Sequence, residues 1–213
     1  TSDEVCAVAG DPSTADCVEE SGCEGAGSGD VNGDGNSDVL DIVQIVNVIL
    51  GGSWADECAA EAADVNDDDN VDVLDIVQIV NGILGRSDVG DATSGKLIRS
   101  NDALSLQANG YIGGVQMTLK HGADFSIELT DKALVADYRT VGDETKLVIV
   151  VPGGEELFTH TGNFEIVDMI VANSSERVNV TAPTVFSLSE AYPNPFNPTT
   201  SMTLAVPEAG NVS

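Results

Sequence analysis

The chain has 213 residues, with 36 Asp and Glu against 8 Lys and Arg for a net charge of −28. Such an acid excess is repelled by nucleic acid and by anionic membrane surfaces, which leaves proteins, cations and solvent as partners. No apolar run reaches the ~18 residues of a spanning helix, so an α-helical membrane span is excluded.

The charge is divided unevenly. Residues 1–85 contain 20 acidic and no basic residues, whereas residues 86–213 contain 16 acidic residues and all 8 basic ones. No charged-then-apolar leader opens the sequence, as expected of a mature product or of a fragment of a longer precursor. Residues 1–28 are glycine-rich, lack apolar periodicity and read as a stapled lead-in. All four cysteines, Cys6, Cys17, Cys23 and Cys58, lie in the first 58 residues. An even count in an acidic, loop-rich segment with no His nearby reads as two disulfides formed in an oxidising compartment, not as a zinc site. Three pairings are open, and Cys6–Cys17 with Cys23–Cys58 is the expected one.

Asp30–Asp41 reads DVNGDGNSDVLD, and 34 positions later Asp64–Asp75 reads DVNDDDNVDVLD. Oxygen side chains at positions 1, 3, 5, 9 and 12 of such a loop, with a main-chain carbonyl at position 7, form the donor set of a calcium loop. In the first copy these are Asp30, Asn32, Asp34, Asp38 and Asp41, with the carbonyl of Asn36. In the second they are Asp64, Asn66, Asp68, Asp72 and Asp75, with the carbonyl of Asn70. Two loops in register imply two Ca²⁺. Each crowds several carboxylates together, so ion binding and folding are expected to be linked.

Each loop runs into the same apolar string, predicted helical over Val39–Leu50 and Val73–Leu84. In the first string only Asp41, Gln44 and Asn47 are polar, and the second repeats this with Gly82 in place of Val48. A module of about 60 residues cannot bury two such helices on every side, so some apolar surface must meet another domain or chain. Val39, Leu40, Val43, Val73, Leu74 and Val77 are the candidate interface residues.

Over the 23 residues that start at Asp30 and at Asp64, 18 are the same. A duplicated loop and following helix, with Asp at position 12 and no helix leading in, resembles the dockerin module of cellulosome-type assemblies over about residues 29–86. The resemblance implies calcium binding and a protein partner. Two departures stand out. Asp69 replaces the Gly expected at loop position 6, where φ is usually positive, at a cost of ~1 kcal/mol. Loop positions 10 and 11, often polar in dockerins, are Val39-Leu40 and Val73-Leu74, which implies a more apolar partner surface.

After Gly85 the apolar period changes to two. Strands are predicted at 96–99, 103–107, 114–119, 125–129, 134–138, 146–151, 164–170 and 178–180, separated by turn signals such as Asn109-Gly110, His121-Gly122 and Pro152-Gly153-Gly154. Eight short strands at this spacing indicate an antiparallel sandwich. The segments Gly110–Leu119 and Gly162–Asn173 resemble the strand pattern of cohesin-like sandwiches, which implies a plug and a socket in tandem. The expected fold class is therefore α+β and multi-modular: a small α-helical domain with paired calcium loops, then an antiparallel immunoglobulin/cohesin-like β-sandwich. The expected boundaries are 1–28 lead-in, 29–86 calcium module, 87–94 linker, 95–184 sandwich and 185–213 tail.

The tail contains Phe186-Ser-Leu188 and then Tyr192-Pro-Asn-Pro-Phe-Asn-Pro-Thr-Thr200. It resembles the opening of the C-terminal sorting domain of the type IX secretion system of certain Gram-negative bacteria, which implies export to the outside or to the outer cell surface. Thr200–Val206 reads as a strand without a partner in its own fragment, open to pairing with another molecule.

Catalysis finds no motif: there is no phosphate loop, nucleophile elbow or paired-cysteine redox motif, and His121 and His160 are expected at the surface. Asn173-Ser-Ser175, Asn179-Val-Thr181 and Asn211-Val-Ser213 fit the pattern for glycan attachment. The leading reading is a secreted, calcium-dependent, non-enzymatic assembly protein, a subunit of a filament or surface assembly, whose partner is a copy of itself or a cohesin-like domain. The alternative is the anchoring and sorting portion of a larger secreted hydrolase or adhesin. A carbohydrate-binding module would need a row of exposed aromatics, and the sole tryptophan, Trp54, lies outside the predicted sandwich.

Overall fold

The computed structural model of the chain describes Cys23 and residues 25–85, 90–100 and 102–181, together with the backbone of 187–188 and 204–205. Three helices come first: α1 (Val39–Ile49), α2 (Glu57–Ala63) and α3 (Val73–Leu84). Helices α1 and α3 begin identically. Asp38 and Asp72 are the N-caps, accepting from the Leu40 and Leu74 amides, and the third helical residues, Asp41 and Asp75, close a capping box by accepting from the cap amide. Two orphan amides are satisfied reciprocally at each start.

Helix α2 departs from the sequence reading, which had no helix leading into either loop. Asp56 caps it by accepting from Ala59, and Ala59, Ala62 and Ala63 are buried at helical spacing. The signal was a run of strong helix formers after a capping residue, but seven residues are too few for periodicity to register. Ahead of the first loop the described residues form a glycine-rich turn. Its Gly27 and Gly29 amides donate to the carbonyls of Glu61 and Ala62 at the end of α2, and a Cys23–Cys58 disulfide fastens the same junction. Cys6 and Cys17 lie outside the described residues.

The sandwich has β1 (Ser94–Arg99), β2 (Ala103–Ala108), β3 (Gly114–His121), β4 (Ser126–Leu129), β5 (Val135–Val141), β6 (Glu144–Val150), β7 (Glu156–Thr161), β8 (Phe164–Ala172) and β9 (Asn179–Thr181). One sheet runs β4-β7-β2-β1-β9 and the other β5-β6-β3-β8. All pairings between these strands are antiparallel except β1 with β9, which is parallel. Alternation along the strands sends Leu97, Leu104, Val115, Met117, Leu119, Leu147, Ile149 and Phe158 into the core between the sheets.

Strand β7 was not legible in the sequence. Its neighbouring residues Leu157 and Phe158 are both buried, which breaks the alternation, and its pairing with β2 shifts register between Leu104 and Ser105. His160, expected at the surface, is buried on β7, edge-on to Phe164 at 4.8 Å. His121 is half-buried, stacked on Phe125 and bonded through Nε2 to Thr145. In the tail, β10 (Ser187–Leu188) and β11 (Leu204–Ala205) pair antiparallel with each other, so the terminal strand read as unpartnered has a partner 16 residues upstream.

The second sheet has two apolar faces. Beyond the inter-sheet core, Val148 and Val150 of β6 and Ile170 and Ala172 of β8 turn outward into one cluster with Ile42, Ile45, Val46, Val73, Ile76, Val77 and Val80 of the helices. Helix α3 lies on this outer face. Gly113 and Gly114 let it come close, since a Cβ on Gly114 would stand 2.4 Å from Val73 Cγ2 and one on Gly113 would stand 2.6 Å from Val77 Cγ1. Gly114→Val is therefore expected to push α3 off the sheet while β3, where Val is a good strand residue, still forms. The loss should be about 1–3 kcal/mol. Calorimetry should resolve a separate early transition for the helical module, and an unchanged single transition would show that the close approach is dispensable.

Candidate metal loops and docking face

In both loops the side chains at positions 1, 3 and 5 fold inward by bonding to the loop's own amides. Asp30 accepts from Asp34 (3.1 Å) and Gly35 (2.8 Å), Asn32 accepts from Asp34 (2.8 Å), and Asp34 accepts from Asn36 (2.9 Å). The second loop repeats this: Asp64 accepts from Asp68 (3.2 Å) and Asp69 (3.0 Å), Asn66 from Asp68 (2.9 Å) and Asp68 from Asn70 (2.9 Å). Bonds from the Asn36 amide and side chain lower the pKa of the Asp34 carboxyl from its ordinary value.

Position 12 has a second duty. Asp41 is buried; its Oδ1 accepts from Val31 (2.9 Å) and Asn32 (3.0 Å), and its Oδ2 accepts from Asp38 (2.8 Å). Asp75 does the same with Val65 (3.0 Å), Asn66 (3.2 Å) and Asp72 (2.9 Å). Three of each carboxylate's roughly four lone-pair directions thus tie the loop's start to the helix's start. Burial pushes the Asp75 carboxyl above the usual carboxylate range, against the bonds from Asp72 and Asn66.

Both loops fit a hard cation by donor chemistry, since they offer carboxylate and amide oxygens with no sulfur or imidazole. Among the described residues no three His, Cys, Asp or Glu side chains close on a common point, and the loop pattern adds Asn and main-chain oxygens to the candidate donors. Positive φ at Gly33 (71°) and Gly35 (89°) shapes the first loop, and Asp67 (58°) and Asp69 (64°) adopt the same conformation in the second.

The six candidate interface residues separate into two environments. Val73, Leu74 and Val77 are 0%, 8% and 1% exposed, whereas their counterparts Val39, Leu40 and Val43 are 40%, 62% and 48% exposed. The second repeat lies on the chain's own sandwich, and the first presents the same side chains to solvent. Polar ties frame the covered copy. The Val73 amide donates to Gln116 Oε1 (3.2 Å), Asn81 Nδ2 donates to the Ser174 carbonyl, and Arg177 Nη2 pairs with Asp72 Oδ2 at 2.8 Å. Arg139 also donates to the Gly51 carbonyl (3.1 Å). No motif announces Gln116, Arg139, Ser174 or Arg177, because each meets its partner only through the tertiary fold. Asn173, the first glycan-type asparagine, is buried with its Nδ2 bonded to the Ala92 carbonyl, so it offers no accessible acceptor. Asn179 is exposed and Asn211 lies outside the described residues.

Residues 28–84 match the dockerin type I domain. Dockerin domains bind calcium and serve as non-catalytic modules of protein–protein assembly, and the matched span holds both loops and all three helices. Among solved structures, the chain is similar to a non-cellulosomal cohesin from the hyperthermophilic archaeon Archaeoglobus fulgidus, with 15% identity over 43% of this chain and 82% of that one and a TM-score of 0.32. No curated protein matches. Among the described residues of the dockerin segment and the sandwich, no helix is long and apolar enough to cross a membrane.

The dockerin loops differ in backbone strain, which gives a direct test. Asp69→Gly should stabilise the second repeat by about 1 kcal/mol, because Gly adopts positive φ without a Cβ penalty. Thermal melts at fixed calcium should show a rise of a few degrees; a fall would show that the Asp69 side chain does more for the loop than its backbone costs.

Proposed function

We propose that the chain is a secreted, calcium-dependent, non-enzymatic subunit of an extracellular filament or surface assembly, joined to its neighbours through the first dockerin repeat. One observation supports this above all. Every group that α3 uses on the sandwich recurs in the first repeat: Asp38 for Asp72, Val39 for Val73, Leu40 for Leu74, Val43 for Val77 and Asn47 for Asn81. The three apolar members are exposed there. A surface that fits an apolar sheet flanked by Gln116, Ser174 and Arg177 is thus displayed a second time, facing outward. Its complement is a sandwich face of the same kind, carried by another copy in exchange for that copy's own α3, or by a cohesin-like domain on another chain.

Such a contact is heterologous, and repeated from chain to chain it generates an open filament unless the rotation closes a ring. The twelve loop residues Asp30, Asn32, Asp34, Asn36, Asp38, Asp41, Asp64, Asn66, Asp68, Asn70, Asp72 and Asp75 would supply the oxygens for two Ca²⁺. The ions offset part of the acidic crowding and make the helices that follow conditional on metal. The Cys23–Cys58 disulfide suits an oxidising exterior, and the Tyr192–Thr200 segment suits export by the type IX route.

Calorimetry should find two Ca²⁺ per chain, and Asp30→Ala with Asp34→Ala should remove one of them and unfold the first repeat. A chain that takes up no calcium would end this part of the reading. For assembly, Leu40→Asp and Leu74→Asp should be compared by electron microscopy and melting. Leu40→Asp is expected to abolish polymers and leave the monomer intact. Leu74→Asp places a charge in the intramolecular contact and should cost about 3 kcal/mol or more of stability. Equal and negligible effects of the two changes on assembly would reject the first repeat as the joining surface.

A further inference from the structure

The two loops are near-copies in sequence, yet among the described residues only the second is in contact with a basic side chain. Asp72, at position 9 of the second loop, is buried; its Oδ1 accepts from the Leu74 amide at 2.7 Å and its Oδ2 from Arg177 at 2.8 Å. Asp38, its counterpart, is half-buried and accepts from Leu40 at 2.7 Å, with no ion pair among the described residues. Arg177 stands on a braced turn between β8 and β9. Asn173 Oδ1 accepts from the Ser175 (2.9 Å) and Glu176 (2.8 Å) amides, the Asn173 amide donates to the Glu176 carbonyl (3.0 Å), and Ala172 and Arg177 form a bridge. The turn that carries Arg177 is therefore fixed to the sandwich, and from it the half-exposed side chain reaches the loop.

Position 9 of a calcium loop serves the ion directly or through a water. An ion in the second loop and the Arg177 guanidinium would then both draw on Asp72 and would repel each other across it. We propose that Arg177 is a resident counter-ion that ranks the two loops: the first fills at lower calcium, and the second fills only as the sandwich loosens its hold on Asp72. The proposal rests on the calcium reading above and adds an order and a consequence to it. A divalent and a monovalent charge one carboxylate apart, roughly 6–8 Å in water, change an affinity by about two- to threefold at physiological salt and by up to about tenfold at low salt. Coupling is reciprocal, so calcium in the second loop must weaken the tie between α3 and the sandwich by the same factor. A metal-free second repeat keeps its counter-ion and the cover over Val73, Leu74 and Val77, whereas among the described residues the first repeat has no basic partner and leaves Val39, Leu40 and Val43 exposed.

Calorimetric titration of the full chain with calcium chloride tests this, using the wild type, Arg177→Gln and Arg177→Lys, with Asp68→Ala to identify which heat belongs to the second loop. The wild type should show two unequal sites, the weaker one lost in Asp68→Ala. Arg177→Gln should tighten the weaker site about two- to threefold at physiological salt, rising towards tenfold at low salt, and leave the stronger one unchanged, and Arg177→Lys should resemble the wild type. Amide exchange at Val73, whose N–H is bonded to Gln116, should quicken as the weaker site fills in the wild type and respond less in Arg177→Gln. Unchanged affinities in Arg177→Gln, or a weakened second site, would overturn the proposal while leaving calcium binding intact. Absence of calcium heat in every variant would instead sink the calcium reading, and this proposal with it.

Discussion

The structure depends on the burial of one apolar helix face. Helices α1 and α3 carry apolar side chains around most of their circumference, and a module of this size has too little interior to cover both. The chain resolves this for α3 alone by laying it on the outer face of the sheet β5-β6-β3-β8. Val73, Leu74 and Val77 each contribute roughly 1.5–3 kcal/mol when fully buried, and together they outweigh the neutral polar ties at the same seam, worth about 0.5–1.5 kcal/mol each. The ties decide something else, namely how α3 sits. Gln116 takes an amide at the helix start, Arg177 takes the N-cap carboxylate, and the Ser174 carbonyl takes Asn81 two turns further on. Apolar contact is non-directional, and these bonds give it a register.

Electrostatics works against this docking and is locally corrected. The first 85 residues have no basic side chain at all, and the sandwich is itself acidic on balance. Two anionic modules should repel each other. At the contact, however, the sandwich presents Arg139 and Arg177, one to the Gly51 carbonyl and one to Asp72. Basic residues are few in this chain, and two of the eight stand where the halves meet.

The capping aspartates link the loops to the packing. Asp41 and Asp75 start a helix, fasten the loop's first amides and lie buried at the base of the module. A disturbance of either loop is therefore passed to the helix that follows it, and in the second repeat from that helix to the sheet. The Cys23–Cys58 disulfide and the glycine turn bonded to α2 close the module on its other side. Gly29 in that turn has φ of 76°, and a Cβ there would stand 2.9 Å from Ile79, a residue of α3, so the turn packs closely on that helix.

Much of this was legible from local pattern. The duplicated twelve-residue loops, the helices that follow them, the positive φ demanded at position 69 and the period-two strands all express short-range chemistry, in which a residue and its near neighbours suffice. Short or irregular elements were not legible: α2 has seven residues, and β7 buries Leu157 and Phe158 side by side, so neither carries a clean period. The excess of apolar surface on two equivalent helices was also evident, but not which copy would be covered. Repeat sequences that share 18 of 23 positions cannot make that choice themselves. It falls to Gly113 and Gly114, Gln116, Ser174 and Arg177, residues from 36 to 105 positions away from the α3 groups they meet, brought to one face by the sheet. Local sequence determined two like surfaces, and tertiary contact made them different, because the sandwich covers Val73, Leu74 and Val77 and leaves Val39, Leu40 and Val43 exposed.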